Sequence, residues 1–280
     1  MHADDEDDLV ETTGVDCHAL GPEGLTETHR DLIGEEPLLI AVAGKDVATV
    51  MCTPGDEADL ALGWLVTEGI IESEAEVSEI SFRRDDAWGN VVRVTPAKGV
   101  GWETRLTAHR KVYSSCGICG YEAIREVASS LEPFDRPDGR LSRAVVVALA
   151  GLMRQNQRLF RPTGATHAAA LAEVRSGKLV AETLIVKEDI GRHNALDKVI
   201  GQGVRGRVAL ERCVVMLSGR VSFEMVAKAA RAGVSDVAAV GAPTALAVDL
   251  ARRLNMFVAG FVRGESATIY AGPEALGNQA

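Results

Sequence analysis

Lysine and arginine are absent from the first 29 residues of the 280-residue chain, which hold nine Asp or Glu side chains. The formal net charge of the whole chain is −10, so the part after residue 29 carries only about −1. The acidity therefore resides in the N-terminal segment, and an anionic ligand is compatible with the rest of the molecule. A segment this acidic predicts a solvated, disordered tail over residues 1–29.

Long apolar runs are also absent. The sequence has no stretch of about 18 consecutive apolar residues, the length that a membrane-spanning helix requires. An N-terminus so rich in carboxylates does not fit a secretory signal either. We therefore expect a cytoplasmic protein that binds neither membranes nor nucleic acids. The hydrophobic fraction of 46% is nevertheless sufficient for a sizeable core.

Cysteine is too sparse for a secreted disulfide framework, since the chain has only five. Cys17, Cys52 and Cys213 each stand alone, and the last two lie in apolar stretches typical of buried packing residues. The remaining pair, Cys116 and Cys119, is separated by two residues and is the one whose spacing indicates chemistry.

Two parts of different organisation are predicted. Residues 30–99 contain a β-hairpin across residues 44–46, a helix after Asp56 and two further strands, which together predict a small α+β subdomain. Residues 100–280 contain the cysteine loop, then helices and paired strands, and from Cys213 onward strand and helix alternate. This alternation predicts an α/β domain whose sheet has partly parallel strands, with a soft boundary between the two parts near Gly99.

The cysteine loop, residues 114–120, lies just before a helix predicted to begin at Tyr121. Backbone amides and the positive end of the helix dipole can stabilise a thiolate there. Four interpretations compete: a persulfide carrier, a thioredoxin-like redox pair, a zinc site and an inert loop. The redox pair lacks its usual early-strand context, and zinc lacks a second pair of ligands at suitable spacing.

Glycine-bearing turns follow several downstream strands. Arg192, Arg220 and Arg263 lie at such strand ends or helix starts, where guanidinium groups suit a phosphate-rich ligand. A solvated charged face or ordinary strand-entry turns would give a similar pattern. The candidate ligand-binding residues are Thr163, Gly164, His167, Arg192, His193, Ser218, Gly219, Arg220, Thr244, Phe261, Val262, Arg263, Gly264, Glu265 and Ser266.

Several common ligand motifs are missing from the chain. No Walker sequence or dinucleotide-type glycine fingerprint is present, which argues against an ordinary ATPase or dehydrogenase. The zinc-deaminase signature places a His-x-Glu before its cysteines, whereas here the cysteines come first.

Many short blocks in one order resemble the formate dehydrogenase accessory sulfurtransferase (FdhD) family, from Glu35 to Tyr270. The matching blocks are residues 35–38, 53–56, 60–69, 114–120, 163–164, 167–170, 189–201, 218–224, 242–244 and 260–263. Ala165 departs from the family pattern, which usually has a second glycine there, and Ile190 replaces a more usual valine.

The resemblance implies a cytidine-deaminase-like α/β core, a mixed sheet with flanking helices, that lacks the zinc of that fold and follows the smaller N-terminal subdomain. It also implies a homodimer that a cysteine desulfurase loads with sulfur. The acceptor would be the molybdenum cofactor in its bis-molybdopterin guanine dinucleotide form, on its way to formate dehydrogenase. Cys116 would carry the persulfide, with Cys119 sharing the sulfur or resetting the loop as a disulfide.

Two other functions remain open on the sequence alone. One is a non-catalytic chaperone that holds the molybdenum cofactor and docks on formate dehydrogenase. The other is a thiol-disulfide oxidoreductase that uses the Cys116 and Cys119 pair directly.

Overall fold

The computed structural model describes residues 11–85, 89–114, 117–118 and 121–277. Strands β1 (Thr12–Gly21) and β2 (Gly24–Ile33) form an antiparallel hairpin along their whole length. The predicted disordered tail is therefore wrong for residues 12–29, because β-branched residues such as Thr12, Val15 and Thr28 favour strands and a two-residue turn joins them. Residues 1–10 of that predicted tail lie outside the described residues.

A four-stranded sheet and one helix follow the hairpin. The elements are β3 (Glu36–Val42), β4 (Lys45–Cys52), α1 (Glu57–Thr67), β5 (Val77–Asp85) and β6 (Gly89–Pro96). The strand order is β4-β3-β6-β5, with β3 and β6 parallel. All the strands and the helix predicted between residues 30 and 99 are confirmed.

The middle of the chain is largely helical. It comprises α2 (Trp102–Val112), β7 (Tyr113–Ser114), β8 (Gly117–Ile118), α3 (Tyr121–Ser129), α4 (Arg143–Gln155) and the short α5 (Phe160–Thr163). Ser142 caps α4 as predicted, because its Oγ accepts the Val145 N–H at 3.3 Å. Helix α2 was not predicted, since among its residues 102–107, for which side-chain burial is described, Trp102 and Leu106 alone are buried.

A seven-stranded mixed sheet occupies the C-terminal half of the described chain. Its elements, in chain order, are β9 (His167–Arg175), β10 (Lys178–Leu179), β11 (Ile185–Asp189), α6 (Arg192–Arg205), β12 (Cys213–Leu217), α7 (Phe223–Arg231), β13 (Asp236–Ala239), α8 (Ala245–Arg253), β14 (Phe257–Arg263) and β15 (Ser266–Ala271). The strand order is β10-β9-β12-β13-β14-β15, and β11 also pairs with β9. Strands β12, β13 and β14 are parallel, and the remaining pairs are antiparallel.

Helices cover both faces of this sheet, which explains why its strands are continuous apolar runs rather than alternating ones. On β9, Ala168 and Ala170 pack in the cluster that includes α4, whereas Ala169 and Leu171 pack in the cluster that includes α6, α7 and α8. The predicted mixed α/β architecture is confirmed. Its cytidine-deaminase-like form stays a prediction.

Helix α1 joins the two sheets. Gly63 of α1 and Gly201 of α6 lie so close to the facing backbone that an added Cβ would overlap Asp197 O or Asp59 O, respectively. One core cluster contains Ile40 of the small sheet and Val215 of the large sheet, so the core is continuous across the predicted boundary near Gly99. The position of that boundary stays a prediction.

A buried ionic cluster fixes α7 against α1 and α6. Lys228 Nζ lies 2.9 Å from Asp197 Oδ2 on α6 and 2.7 Å from Glu68 Oε1, just after α1. Burial alone would lower the pKa of Lys228, but the two carboxylates outweigh burial and raise it above its ordinary value. Lys228 of α7 therefore links α6, through Asp197, to the end of α1, through Glu68. Within the described ranges, no helix has the length and apolar character needed to cross a membrane.

Candidate functional site

The cysteine loop follows helix α2. Strands β7 and β8 pair in antiparallel, with Tyr113 opposite Ile118, and α3 begins at Tyr121. The predicted helix after the loop is therefore confirmed. Cys116 and Cys119 lie outside the described residues, so their roles stay predictions. In the chain, Cys119 precedes α3 by two residues.

Strand β12 ends in the Ser218-Gly219-Arg220 turn, which is fastened to the start of β9. The Ala168 N–H donates to Ser218 Oγ at 2.8 Å, and the Ser218 N–H donates to Ala168 O at 2.9 Å. These bonds use the Ser218 hydroxyl to position the turn. They also place the turn beside His167, the first residue of β9.

Gly219 is the point where three predicted site residues meet. A Cβ added to it would lie 3.1 Å from His167 Nδ1 and 3.9 Å from Arg192 Cβ. A side chain larger than hydrogen would therefore press on the imidazole. The structure brings together His167, Arg192 and Gly219, and the exposed Arg220 follows directly.

The turn after β13 packs on the turn after β12. Gly241 lies against the Gly219 carbonyl, with no space for a Cβ. The Val221 N–H donates to Ala242 O at 3.1 Å, and the Thr244 N–H donates to Val221 O at 2.9 Å. Thr244 Oγ1 also accepts the Ala247 N–H at 3.3 Å, so this predicted ligand residue caps α8.

Strand β14 adds an exposed aromatic ring to the same edge. The Phe261 N–H donates to Gly241 O at 3.1 Å, and Phe261 has a left-handed backbone, φ +52°. This conformation is strained for an aromatic residue and is typical of functional positions. The ring is 42% exposed, and the Arg263 guanidinium carbon lies 5.8 Å from its centroid.

The remaining residues near β14 that were predicted to bind a ligand are less suitably placed to contact one. The Val262 side chain is buried in the core, so it does not face a ligand. Ser266 Oγ donates to Arg263 O at 3.0 Å within the β14–β15 turn, where Gly264 has a left-handed φ of +55°. Glu265 lies 3.4 Å from Arg143 at the start of α4. The β14–β15 turn follows Phe261 and Arg263 directly, and these two residues connect it to the site.

Thr163 and Gly164 lie at the end of α5, in a turn fixed by Glu188. Oxygen atoms of the Glu188 carboxylate accept the Leu159 and Phe160 N–H groups and the Thr166 hydroxyl, each at 2.8 Å. Thr163 Oγ1 donates to Leu159 O at 2.6 Å. The turn predicted at this position is confirmed, with the addition of one short helix that Gly164 ends at φ +65°.

The neighbouring carboxylate, Asp189, fixes the start of α6. Asp189 Oδ1 accepts the Gly191 N–H and the Asn194 side-chain amide, each at 2.9 Å. Asp189 Oδ2 lies 2.9 Å from Lys198 Nζ, and Lys198 is only 1% exposed. The same oxygen accepts the Thr53 N–H at 3.1 Å. These contacts hold the helix start that presents Arg192 and His193.

Sequence reasoning missed the positioning roles of Thr53, Glu188, Asp189 and Lys198. Adjacent carboxylates at the end of a strand, with a lysine nine or ten residues later, were a visible signal. Thr53 gave no signal of its own, because its contact spans 136 positions of the chain.

Positive groups dominate the electrostatics around His167. Burial lowers the pKa of His167 below its ordinary value, and Arg192, Arg220 and His193 lower it further. His167 is therefore neutral near pH 7, with cationic side chains around it. His193 Nε2 itself lies 3.0 Å from Glu224 Oε2 on α7. An anion beside Gly219 would be stabilised by these charges.

Within the described ranges, no three His, Cys, Asp or Glu side chains lie close enough together to hold a metal ion. The candidate site is a cationic, glycine-lined edge of the large sheet. It is formed by the turns after β12 and β13, the start of α6 and Phe261.

Known proteins share this architecture and sequence. The model of the FdhD/NarQ family matches residues 33–277. The sulfur carrier protein FdhD of Streptomyces avermitilis is 41% identical over 261 residues, covering 89% of this chain and 90% of the relative. Its counterpart from Sulfolobus acidocaldarius is 37% identical, covering 91% and 94%.

A solved structure has the same fold. It is the crystal structure of a protein described as a formate dehydrogenase accessory protein, from Desulfotalea psychrophila. The two chains superpose with a TM-score of 0.74 at 23% identity, covering 95% of this chain and 99% of the other. Since the family model covers most of the chain and relatives exceed 30% identity over nearly their full length, the protein belongs to the FdhD/NarQ family.

Proposed function

We propose that this protein is a sulfurtransferase that carries sulfur as a persulfide on Cys116 and delivers it to a molybdenum cofactor bearing guanine dinucleotide. The recipient of that cofactor is formate dehydrogenase. The observation that supports the proposal most strongly is the cationic edge around Gly219, at which Arg192, Arg220 and a neutral His167 meet. The names of the relatives, sulfur carrier proteins, support the first half of the proposal.

The cationic edge suits the phosphate groups of the proposed substrate. Gly219 and Gly241 lack side chains, so backbone amides of the two turns can approach a pyrophosphate closely. Arg192 and Arg220 supply charge-assisted hydrogen bonds to its oxygens. Phe261, half exposed and next to Arg263, offers a flat surface on which a purine ring stacks.

Loading of the loop is a thiol exchange. The Cys116 thiolate attacks the outer sulfur of a desulfurase persulfide, a new S–S bond forms, and the desulfurase cysteine leaves as a thiolate. No net oxidation occurs, because one S–S bond replaces another. Helix α3 begins two residues after Cys119 in the chain, and the positive end of its dipole would favour a thiolate held close to it.

Delivery again uses the outer sulfur as the electron acceptor. The S–S bond of the Cys116 persulfide breaks, and its electron pair returns to Cys116 as a thiolate. The outer sulfur atom bonds to the reduced metal centre of the substrate, which supplies two electrons. Cys119 competes if it attacks the persulfide, because a Cys116–Cys119 disulfide then forms and hydrosulfide is released.

A Cys116→Ala variant tests the proposal against a chaperone without sulfur chemistry. We expect the variant to bind a guanine nucleotide with unchanged Kd but to lose maturation of formate dehydrogenase. Cys17→Ala, at a cysteine far from the loop in sequence, is the matched control and should retain both. Full maturation by Cys116→Ala would support the chaperone, whereas disulfide reductase activity without any cofactor would support the oxidoreductase.

A further inference from the structure

A groove opens at the end of α6, away from the cationic edge. The edge includes Arg192, the first residue of α6, whereas the groove is lined by Val204 and Arg207 at the other end of that helix. A helix of 14 residues is roughly 20 Å long, so the two features are separate sites. The groove has a volume of about 730 Å³, which lies within the range of known binding pockets.

The floor of the groove is apolar. It is formed by half-buried aliphatic side chains that also pack against the main core cluster, namely Val77, Val204, Val208 and Leu210. The part of each side chain that faces the groove remains in contact with water. An apolar side chain placed on this floor would remove that surface from water, which is favourable.

The end of α6 gives the groove a preformed wall. Arg207 has a left-handed backbone, φ +53°, and its N–H donates to Val204 O at 3.0 Å. The Val208 N–H donates to Gly203 O at 2.9 Å. These two bonds form a common helix termination in which glycine usually occupies the left-handed position. An arginine there is strained, and such strain often marks functional positions.

The rim of the groove carries more carboxylates than cations. Glu72, Glu74 and Glu211 line it, together with the single cation Arg207. Arg207 Nε lies 3.3 Å from Glu74 Oε2, but the arginine side chain is 87% exposed, and a pair so exposed contributes little. Glu74 can therefore exchange this partner for a cation of a ligand.

Two further arginines lie near the rim without lining the groove. Arg105 is 3.3 Å from Glu72, but its shorter contacts, 2.7 and 3.0 Å, are with Glu76. Arg212 Nε is 3.9 Å from Glu211, and both side chains are more than half exposed. The rim therefore keeps an excess of negative charge, which attracts cationic groups.

The ends of this chain do not have the composition of a suitable occupant. Residues 1–10 contain five Asp or Glu and no Lys or Arg, and residues 278–280 have no charged side chain. The acidic rim would repel the first segment and would gain no ion pair from the second. The charge of the rim thus favours an occupant from another molecule.

We propose that this groove binds a basic peptide segment of a partner protein. Apolar side chains of the segment lie on the floor, and its lysine or arginine side chains pair with Glu72, Glu74 and Glu211. Burial on the floor supplies affinity, while the carboxylates steer and orient the segment. Because the rim is exposed, salt weakens the association. This binding does not depend on sulfur transfer, since it takes place at the opposite end of α6 from the cationic edge.

Fluorescence anisotropy tests the groove with a fluorescein-labelled peptide of sequence Gly-Lys-Lys-Leu-Ser-Leu-Lys-Lys-Gly and the full-length chain. The double variant Glu74→Lys/Glu211→Lys should raise the Kd of this peptide roughly tenfold. Glu23→Lys/Glu132→Lys is the matched control, because it changes the net charge equally at exposed carboxylates outside the groove, and it should change the Kd little. Thermal melts followed by circular dichroism verify that both variants are folded.

Peptides of altered composition separate the contribution of the rim from that of the floor. Replacing every lysine of the peptide by glutamate should abolish binding, because the rim then repels the peptide. Replacing both leucines by serine should raise the Kd roughly tenfold, because the floor then gains no apolar contact. Equal affinity for the lysine and glutamate peptides would overturn the proposal.

Hydrogen exchange followed by mass spectrometry locates the bound peptide. Exchange should slow in residues 72–77 and 204–211. Ala75→Trp, which adds an indole ring at the exposed lining of the groove, should abolish binding in a folded protein. The proposal is overturned if the wild-type chain does not bind the lysine peptide, if both double variants lose affinity equally, or if exchange slows only elsewhere. A change in oligomeric state caused by Ala75→Trp, measured by light scattering, would identify the groove as a contact between copies and would also overturn it.

Discussion

Arg220 projects from the turn between β12 and α7 with its side chain exposed, and it follows the glycine that contacts His167. A guanidinium at this position can reach a phosphate without displacing the backbone. Within the described part of the chain, the exposed Arg220 side chain makes no hydrogen bond or ion pair whose loss would complicate the effect of removing it. Its contribution can therefore be measured through ligand affinity alone.

Arg220→Ala should weaken binding of a guanine nucleotide. A charge-assisted hydrogen bond contributes about 1.5 to 3 kcal/mol, which corresponds to a roughly 10- to 150-fold rise in Kd. Because Arg220 is exposed, we expect the lower end of this range. Isothermal titration calorimetry measures the change, with Arg207→Ala, on the segment after α6, as the control. An unchanged Kd would remove Arg220 from the site.

His167 should give the stability of the protein a specific pH dependence. Its pKa in the folded state lies below the ordinary value of 6.5, because of burial and the neighbouring cations. Below about pH 6.5 the unfolded state therefore binds more protons than the folded state, and stability falls. As pH rises through 6.5 this destabilisation disappears.

His167→Gln removes the titrating group and keeps a polar side chain. Relative to this variant, the wild-type protein should lose unfolding free energy between pH 7.5 and pH 5.5. Urea titrations at the two pH values measure the difference. If the gap between variant and wild type were the same at both, the imidazole would not be the depressed group that the structure indicates.

The contact between α1 and α6 leaves no space for an added side-chain atom at its glycines. An added Cβ at Gly201 would overlap the Asp59 carbonyl, so Gly201→Ala must separate the two helices. We expect a loss of several kcal/mol, or no folding, in thermal and urea unfolding. Gly151→Ala, in α4 with nothing within 4 Å of the new Cβ, is the control. It should be neutral or stabilise by up to about 1 kcal/mol. Equal effects of the two substitutions would contradict this helix contact.

Elements with a strong periodic pattern were predictable, and those that depend on distant partners were not. The β3–β4 hairpin, α1 and the alternation from β12 to β14 follow from apolar runs bounded by glycine or proline. The β1–β2 hairpin was missed because its acidic residues suggested disorder, whereas strand pairing is decided by cross-strand neighbours. Helix α2 was missed because Trp102 and Leu106 are the two buried side chains among its residues 102–107, the part of the helix whose burial is described.

The same limit applies to the candidate site. Turns at the carboxyl ends of parallel strands share one edge of a sheet, so the approach of residues 218–220 to residues 241–244 could be anticipated. The side-chain contacts could not. Thr244 caps a helix, Val262 faces the core and Asp189 binds a threonine 136 positions away. These outcomes depend on tertiary packing that no local pattern contains.

On the scale of the whole molecule, charge is divided between two regions. The N-terminal residues and the β1–β2 hairpin carry nearly all the net negative charge, while the rest of the chain is almost neutral and presents cationic groups around His167. The cationic groups would attract an anionic ligand to one region, and the carboxylates would repel it from the other. The continuous core through α1 connects the small sheet with the large sheet. Sulfur transfer to a ligand bound at the cationic edge requires that the cysteine loop present its sulfur there.

Persulfide mapping tests the central proposal most directly. The protein is incubated with a cysteine desulfurase and cysteine, with and without a guanine nucleotide, and the peptide containing residues 114–120 is analysed by mass spectrometry. We predict one added sulfur on Cys116 that persists in Cys119→Ala and is absent in Cys116→Ala. Added sulfur that persists in Cys116→Ala but vanishes in Cys119→Ala would reverse the assignment, and no added sulfur in the wild type would contradict the carrier function itself.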